Sequence, residues 1–190
     1  PVAIHMMDDW PLTINKPGIL YRYWQNVIDK AFRKLVNKST ILMSIGEAMT
    51  DEYKLRYNKN FIPFHNPIDI NYWKPKVVKD YNIADKFIIL YAGRIGFGIE
   101  KSIADIANAV NEIAKTNKNI IFEIQTGEQE ELNKLVEQNE FVKWVKPIAY
   151  PALPAKFSSV DLLLLPQDFD EKSVKFLKYS FPTKVSEYMI

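Results

Sequence analysis

The chain has 190 residues, 47% of them hydrophobic, and 25 Lys and Arg against 23 Asp and Glu leave a net charge of +2. That length and apolar content allow one sizeable core or two small ones, and so slight a charge, with lysines interspersed among acids, leaves no footprint for a nucleic-acid backbone. The lack of cysteine excludes a disulfide framework and thiolate zinc sites, two histidines argue against a histidine zinc site, and no apolar run approaches the ~20 residues of a membrane-spanning helix.

Residues 2–6 predict a short buried strand leading into the acidic, aromatic turn Asp8-Asp9-Trp10-Pro11. Trp24, Val27, Ile28, Ala31, Phe32 and Leu35 then recur at three- and four-residue spacing, the pattern of a helix with one stripe over a core. The cluster at 21–24, with Lys30, Arg33, Lys34 and Lys38, reads either as a solvated helix face or as a peripheral contact with an anionic membrane. Residues 40–43 predict a strand, and Ser44-Ile45-Gly46-Glu47 fits a capping box opening a helix over about 46–57. Residues 61–64 form a short extended piece and 65–69 carry turn chemistry. Pro63, Pro67, Pro75 and the charged stretch 74–85 predict a connector between domains.

After residue 85 the pattern becomes regular. Apolar strands are expected at 87–91, 120–124, 141–145 and 160–165, and Ile99, Ile103, Ile106, Val110 and Ile113 mark one side of an intervening helix. Thr126 to Gln129 can cap the next helix, and Pro182 suits the first turn of the last one. Strands alternating with helices at this spacing predict an α/β fold of βαβ units, with a parallel sheet covered on both faces. Because the chain opens in an apolar run and stops inside an expected helix, it is expected to be an internal fragment. With no apolar run of membrane-spanning length it is expected to be soluble, and its location is expected to be cytoplasmic, with peripheral contact at the inner membrane face as the further option.

The stretch 91–102, YAGRIGFGIEKS, joins a strand to a helix through Gly93, Gly96 and Gly98 and supplies the cations Arg94 and Lys101. Unpaired N–H groups and the positive end of a helix dipole favour an anion there, although three glycines also serve a plain tight turn. No G-x-G-x-x-G occurs, which argues against a plain dinucleotide site. In a parallel sheet the loops past the strand ends share one rim, so Arg94, Gly127 and the loop 147–151 with Tyr150 should converge. Lys184 and Glu187, three apart on the last helix, form either an ordinary ion pair or a phosphate-binding lysine beside a ribose-binding glutamate. Asp168-Phe169-Asp170 is a D-x-D triplet in an expected solvated loop, and no metal site is assigned to it.

The segments YAGRIGFGIEKS, SIGEAMTDEYKLRYNKNF, HNPIDINYW and SFPTKVSEYM, in this order over nearly the whole chain, resemble the retaining nucleotide-sugar glycosyltransferases of the GT-B class, family four or "group 1". The resemblance implies two Rossmann-like domains, both incomplete: residues 1–62 from the acceptor-binding domain, 63–85 as crossover, and 86–190 from the donor-binding domain. It implies that Arg94 and Lys101 neutralise the donor diphosphate, that Gly93, Gly96 and Gly127 let the nucleotide approach, and that Tyr150 lies near the base. Ser180, Thr183 and Lys184 fall in the same donor-facing segment. Glu187 matches the second glutamate of the family's E-x7-E motif, whereas Tyr179 stands where the first is expected.

Aligning on Asp9-Trp10-Pro11 places Met7 at the family's cleft histidine and Asp8 at the aspartate beside it. His5, two residues earlier on the same strand face, is either a substitute catalytic group or a histidine satisfied within the fold. The implied activity is sugar transfer from a nucleoside-diphosphate sugar to a saccharide or glycolipid, without a metal or other cofactor. A nucleotide-sugar-binding or scaffold protein without turnover, or a GT-B-like epimerase, is the alternative, and the fragment alone is expected to be inactive.

Overall fold

The computed structural model describes residues 1–9, 18–74, 86–127 and 129–190. The expected turn at 10–11, Pro75, the charged stretch 75–85 and residue 128 of the expected helix cap lie outside the described residues. Two compact units result: Pro1–Pro67 with Val174–Thr183, and Ile68–Ser173 with Lys184–Ile190. The segment 174–183 therefore packs with the first unit, although it follows the strands of the second unit in sequence.

In the first unit, β1 (Ala3–Met6), β2 (Ile41–Ser44) and β3 (Ile62–Pro63) form a parallel sheet in that order. The short extended piece at 61–64 is thus an edge strand, pairing Met43 with Ile62 and Ser44 with Pro63, and an edge is where a proline lacking its N–H is tolerated. Helices α1 (Tyr21–Lys38) and α2 (Glu47–Tyr57) supply the core, in which Met6, Phe32, Val36, Met49, Tyr53 and Tyr57 are buried and Tyr179 and Phe181 pack at the side. Met49, Tyr53 and Tyr57, spaced by four, lie on one face of α2. Phe32 meets the rings of Tyr53 and Tyr57 edge-on at 6.0 and 5.0 Å.

That aromatic contact turns α1 away from the expected orientation. Phe32 and Val36 are buried, whereas Trp24, Val27, Ala31 and Leu35 face outward. The helix carries two apolar lines, and periodicity alone does not choose between them.

The capping box is also corrected. The N-cap residue of α2 is Gly46, with no side-chain cap; Ser44 ends β2 and its hydroxyl meets that of Thr50 at 2.5 Å, while Glu47 turns to His65 at 3.0 Å. Strand pairing claimed Ser44 and moved the helix start two residues on. At the other end Asn58 takes a left-handed conformation (φ 52°), and its N–H donates to the Lys54 carbonyl.

In the second unit, β4 (Phe87–Ala92), β5 (Ile120–Gln125), β6 (Val142–Val145) and β7 (Leu162–Leu163) form a parallel sheet in the order β6-β5-β4-β7. Helices α4 (Glu100–Ala114) and α5 (Gln129–Gln138) link the first three strands, and a 3-10 turn (Tyr150–Ala152) with α6 (Leu153–Ser158) leads to β7. The short α3 (Ile70–Trp73) precedes them, its N-terminus capped by the Asp69 carboxylate accepting from the Tyr72 N–H.

The continuous apolar run of β4 is explained by burial on both sides. Ile89 and Tyr91 join Ile103, Ala107, Val110, Phe122 and Ile124 in one cluster, while Leu90 and Ala92 join Trp73, Phe157 and Val160 in another. The strand expected at 160–165 is reduced to two paired residues, Leu162 and Leu163, opposite Ile89 and Leu90. Finally, α7 (Glu171–Leu177) carries the chain into the first unit, and α8 (Lys184–Tyr188) begins beyond Pro182 instead of enclosing it.

Candidate functional site

The strand order of the second unit reverses between β4 and β7, so β5 and β6 lie to one side of β4 and β7 to the other. Such a reversal opens a crevice past the carboxyl ends of the strands, because the connections leave in opposite directions. Gly93 stands there. Its N–H continues the ladder by donating to the Gln125 carbonyl at 3.0 Å.

A Cβ added at Gly93 would overlap the ammonium nitrogen of Lys184 and come within 2.9 Å of the Tyr91 hydroxyl. A side chain at 93 would therefore have to displace the Lys184 ammonium. Lys184, in the first turn of α8, lays its ammonium 5.1 Å from the centre of the Tyr91 ring. Burial holds that ammonium below the usual lysine range, and the charge of Glu187 offsets part of the shift. Burial likewise raises the Glu187 carboxyl, with Lys184 opposing it. One turn on, Tyr188 packs edge-on against Phe157 at 5.2 Å, and burial pushes its phenol up to about 12. Thus α8 delivers a half-buried lysine and glutamate to the end of β4.

Beside Gly93 a cavity of about 380 Å³ opens over the ends of β4, β5 and β6. Its size falls within the ~300–1,000 Å³ of small-molecule sites. Arg94, Thr126, Gly127, Ile148 and Leu153 line it. Two side chains brace its wall from behind: Trp144 donates its indole N–H to the Thr126 carbonyl at 2.9 Å, and Gln125 donates its amide to the Lys146 carbonyl at 3.3 Å. Tyr150 begins the 3-10 turn that follows Ile148, stacks on Tyr72 at 5.3 Å, and accepts the Tyr72 hydroxyl on its carbonyl. The structure therefore brings together Gly93, Arg94, Gly127 and Lys184, with Tyr150 holding the adjoining loop.

The helix end behind the glycine loop is used differently from the expectation. The buried Asp168 carboxylate accepts from the N–H of Ser102 at 2.8 Å and lies 3.4 Å from that of Lys101, closing the N-terminus of α4 with the chain's own anion. Ser102 donates its hydroxyl to the Gln167 carbonyl at 2.7 Å. Gly98 takes a left-handed φ of 91°, and its carbonyl accepts the Asp168 N–H at 2.6 Å. Lys101 reaches Asp170 at 3.6 Å, and Asp170 also accepts the Ser173 hydroxyl. The D-x-D triplet is thus a helix cap followed by an ion pair. Among the described residues no group of three or more His, Cys, Asp or Glu side chains is placed to hold a metal. Gly96 lies in the same loop, with open space where a Cβ would stand.

The remaining candidates belong to the first unit. His5 on β1 hydrogen-bonds through Nε2 to the Phe64 carbonyl at 2.9 Å and meets the Phe64 ring edge-on. The Ser180 hydroxyl donates to Asp8 at 2.8 Å, and Thr183 ends this unit, exposed. Tyr179, at the position of the expected glutamate, donates its hydroxyl to Glu52 at 2.9 Å. Asp9, which spacing did not single out, is buried and receives both Arg56 nitrogens at 2.8 and 3.0 Å and the Tyr53 hydroxyl at 3.0 Å. Burial is the largest influence on Arg56 and opposes its charge, yet the bonds from Asp9 and Glu52 prevail and raise it above the usual arginine value. The doublet Asp8-Asp9 before a turn was the available signal for this anchor.

No family model matches the chain, and no curated protein matches it in sequence. Solved structures do match. TarM superposes with a TM-score of 0.52 at 12% identity, over 72% of this chain and 27% of TarM. A point mutant of S. aureus TarM, in complex with fondaparinux, α-GlcNAc-glycerol and UDP, superposes with a TM-score of 0.51 at 11% identity, again over 72% and 27%. The fold is of the GT-B type. At this identity the likeness establishes the α/β architecture with parallel sheets, and the chain spans 27% of the length of the GT-B protein it matches.

Proposed function

We propose that the chain is part of a glycosyltransferase that moves a sugar from a nucleoside-diphosphate sugar to a saccharide or glycolipid acceptor. The observation that carries this reading is the cavity past β4–β6, lined by Gly93 and Arg94, with the half-buried Lys184 lying against Gly93. A nucleoside fills the cavity and its diphosphate lies along Gly93. Breaking the bond from sugar to phosphate builds negative charge on the leaving group, and prepositioned cations stabilise that charge where water is scarce. Arg94 and Lys184 serve there, Lys101 joins them by leaving Asp170, and no metal ion is required for the neutralisation. Glu187 holds the ribose hydroxyls.

In this reading the enzyme belongs to family four and retains the anomeric configuration. The departing phosphate takes the proton of an acceptor hydroxyl that attacks from the same face. The work is cytoplasmic, in the synthesis of a polysaccharide or glycolipid. Support comes from the GT-B fold and from the segments quoted above, and a complex of the matched fold with UDP is consistent with it.

Calorimetry with UDP, GDP and ADP tests the site. One of them binds, and Lys184→Ala weakens it about tenfold or more, as expected for loss of a charge-assisted contact to phosphate. Unchanged diphosphate affinity in both Lys184→Ala and Arg94→Ala would place the phosphates elsewhere. A second reading, nucleotide-sugar binding without turnover, is favoured by Tyr179, whose hydroxyl is directed to Glu52 where the family's glutamate would face a sugar. Nucleoside-diphosphate release from a sugar nucleotide by the full-length protein decides between the two.

A further inference from the structure

We infer that the outward face of α1 is a docking surface for an anionic lipid bilayer. At about 3.6 residues per turn, positions 20, 24, 27, 31 and 35 fall on one line along the helix. That line holds Leu20, Trp24, Val27, Ala31 and Leu35, and Tyr23 lies beside it. Leu20 is 60% exposed, Tyr23 60% and Trp24 49%. The line is separate from the core-facing one of Phe32 and Val36.

Charge distinguishes the two sides of this helix. Lys30, Lys34 and Lys38 are exposed and follow one another at four-residue steps along one flank of the outward line. The acid within the helix, Asp29, lies on the opposite side. There it binds Arg33 at 2.7 Å, and Arg33 in turn donates to the Arg56 carbonyl of α2 at 2.8 Å. The outward face thus combines apolar and aromatic side chains with cations and carries no carboxylate.

This chemistry fits lipid better than protein. Lysine is depleted from the cores of protein interfaces, whereas a lysine stem lies along apolar surface while its ammonium reaches a headgroup. A second copy of the chain would set these cations against their own equivalents. Tyr23 and Trp24, in edge-on contact at 5.4 Å, are the residue types that settle at the level of lipid headgroups. Among the described residues no helix is long and apolar enough to cross a membrane, so the contact is peripheral. The inference does not depend on glycosyl transfer.

The test is co-sedimentation of the full chain with vesicles of phosphatidylcholine alone and of phosphatidylcholine mixed equally with phosphatidylglycerol. Binding is expected to the anionic vesicles only. Each basic residue near an anionic leaflet strengthens partition roughly fivefold, so Lys30→Gln, Lys34→Gln and Lys38→Gln together lower it about 100-fold. Trp24→Ala lowers it about tenfold, and Trp24→Phe removes the blue shift of tryptophan emission on binding.

All the substituted positions are exposed, and far-UV circular dichroism verifies that the variants stay folded. Equal binding to both vesicles, absence of binding, or a triple variant that binds like wild type would overturn the proposal. So would a concentration-dependent dimer abolished by Trp24→Ala, since that assigns the face to a second copy. Nucleoside-diphosphate affinity stays unchanged in these variants, which keeps this outcome separate from the donor-site test.

Discussion

Lys184 bears a cost that its position explains. Burial lowers its folded pKa below the ordinary lysine value of about 10.4, so between the two values the unfolded chain binds more protons than the folded one. The sign follows: the charged lysine destabilises the fold at neutral pH, and the penalty fades as pH rises through that window. Lys184→Met should therefore be more heat-stable than wild type at pH 7, with the difference shrinking toward pH ~10, as thermal unfolding would record. The same variant should bind nucleoside diphosphate more weakly. If wild type proves the more stable at pH 7, burial does not govern this lysine.

Gly93→Ala should weaken diphosphate binding about tenfold, because its methyl must displace the Lys184 ammonium. Gly96→Ala, with open space at the new Cβ, should shift stability by no more than ~0.5 kcal/mol. Titration calorimetry and urea unfolding check the pair. All three residues were legible as candidates in the sequence. What spacing could not supply was the contact between Gly93 and Lys184, which are remote in the chain and meet only because α8 packs at the end of β4.

At the scale of elements, capping decides more than propensity. Asp168 satisfies N–H groups of α4 from a loop more than sixty residues away in sequence, so no local motif announces it. Asp168→Ala should cost roughly 1–2 kcal/mol, measured by urea unfolding, and Asp168→Asn should recover part of that. In α2 the expected box failed because Ser44 belongs to β2.

The α2 helix is fixed instead from the side by Asp9. Asp9→Ala should destabilise by about 3–5 kcal/mol, since it strands the Arg56 guanidinium and the Tyr53 hydroxyl in a buried place. A loss below ~1 kcal/mol in denaturant unfolding would mean that Glu52 alone satisfies Arg56. The apolar pattern of α1 shows a related limit. Its period fixed the helix, but the ring contacts of Phe32 chose the face.

Across the whole molecule the chain belongs first to one unit, then to the other, and then to each again near its end. Residues 174–183 give Tyr179 and Phe181 to the first core, and 184–190 give Tyr188 to the second. Ending the chain at Ser173 should lower the stability of both units by some 1–3 kcal/mol for each large side chain withdrawn, seen as earlier thermal transitions. The α/β class, the alternation of strands and helices and the glycine loop between β4 and α4 were determined by the sequence alone. Periodicity, turn chemistry and side-chain type are local properties that neighbouring residues carry with them. Tertiary structure decided which stripe of α1 is buried, that Asp168 closes α4, that Tyr179 serves Glu52, and that Lys184 rests on Tyr91 beside the cavity. Each of these joins residues far apart in the chain, and their geometry exists only once sheets and helices have packed.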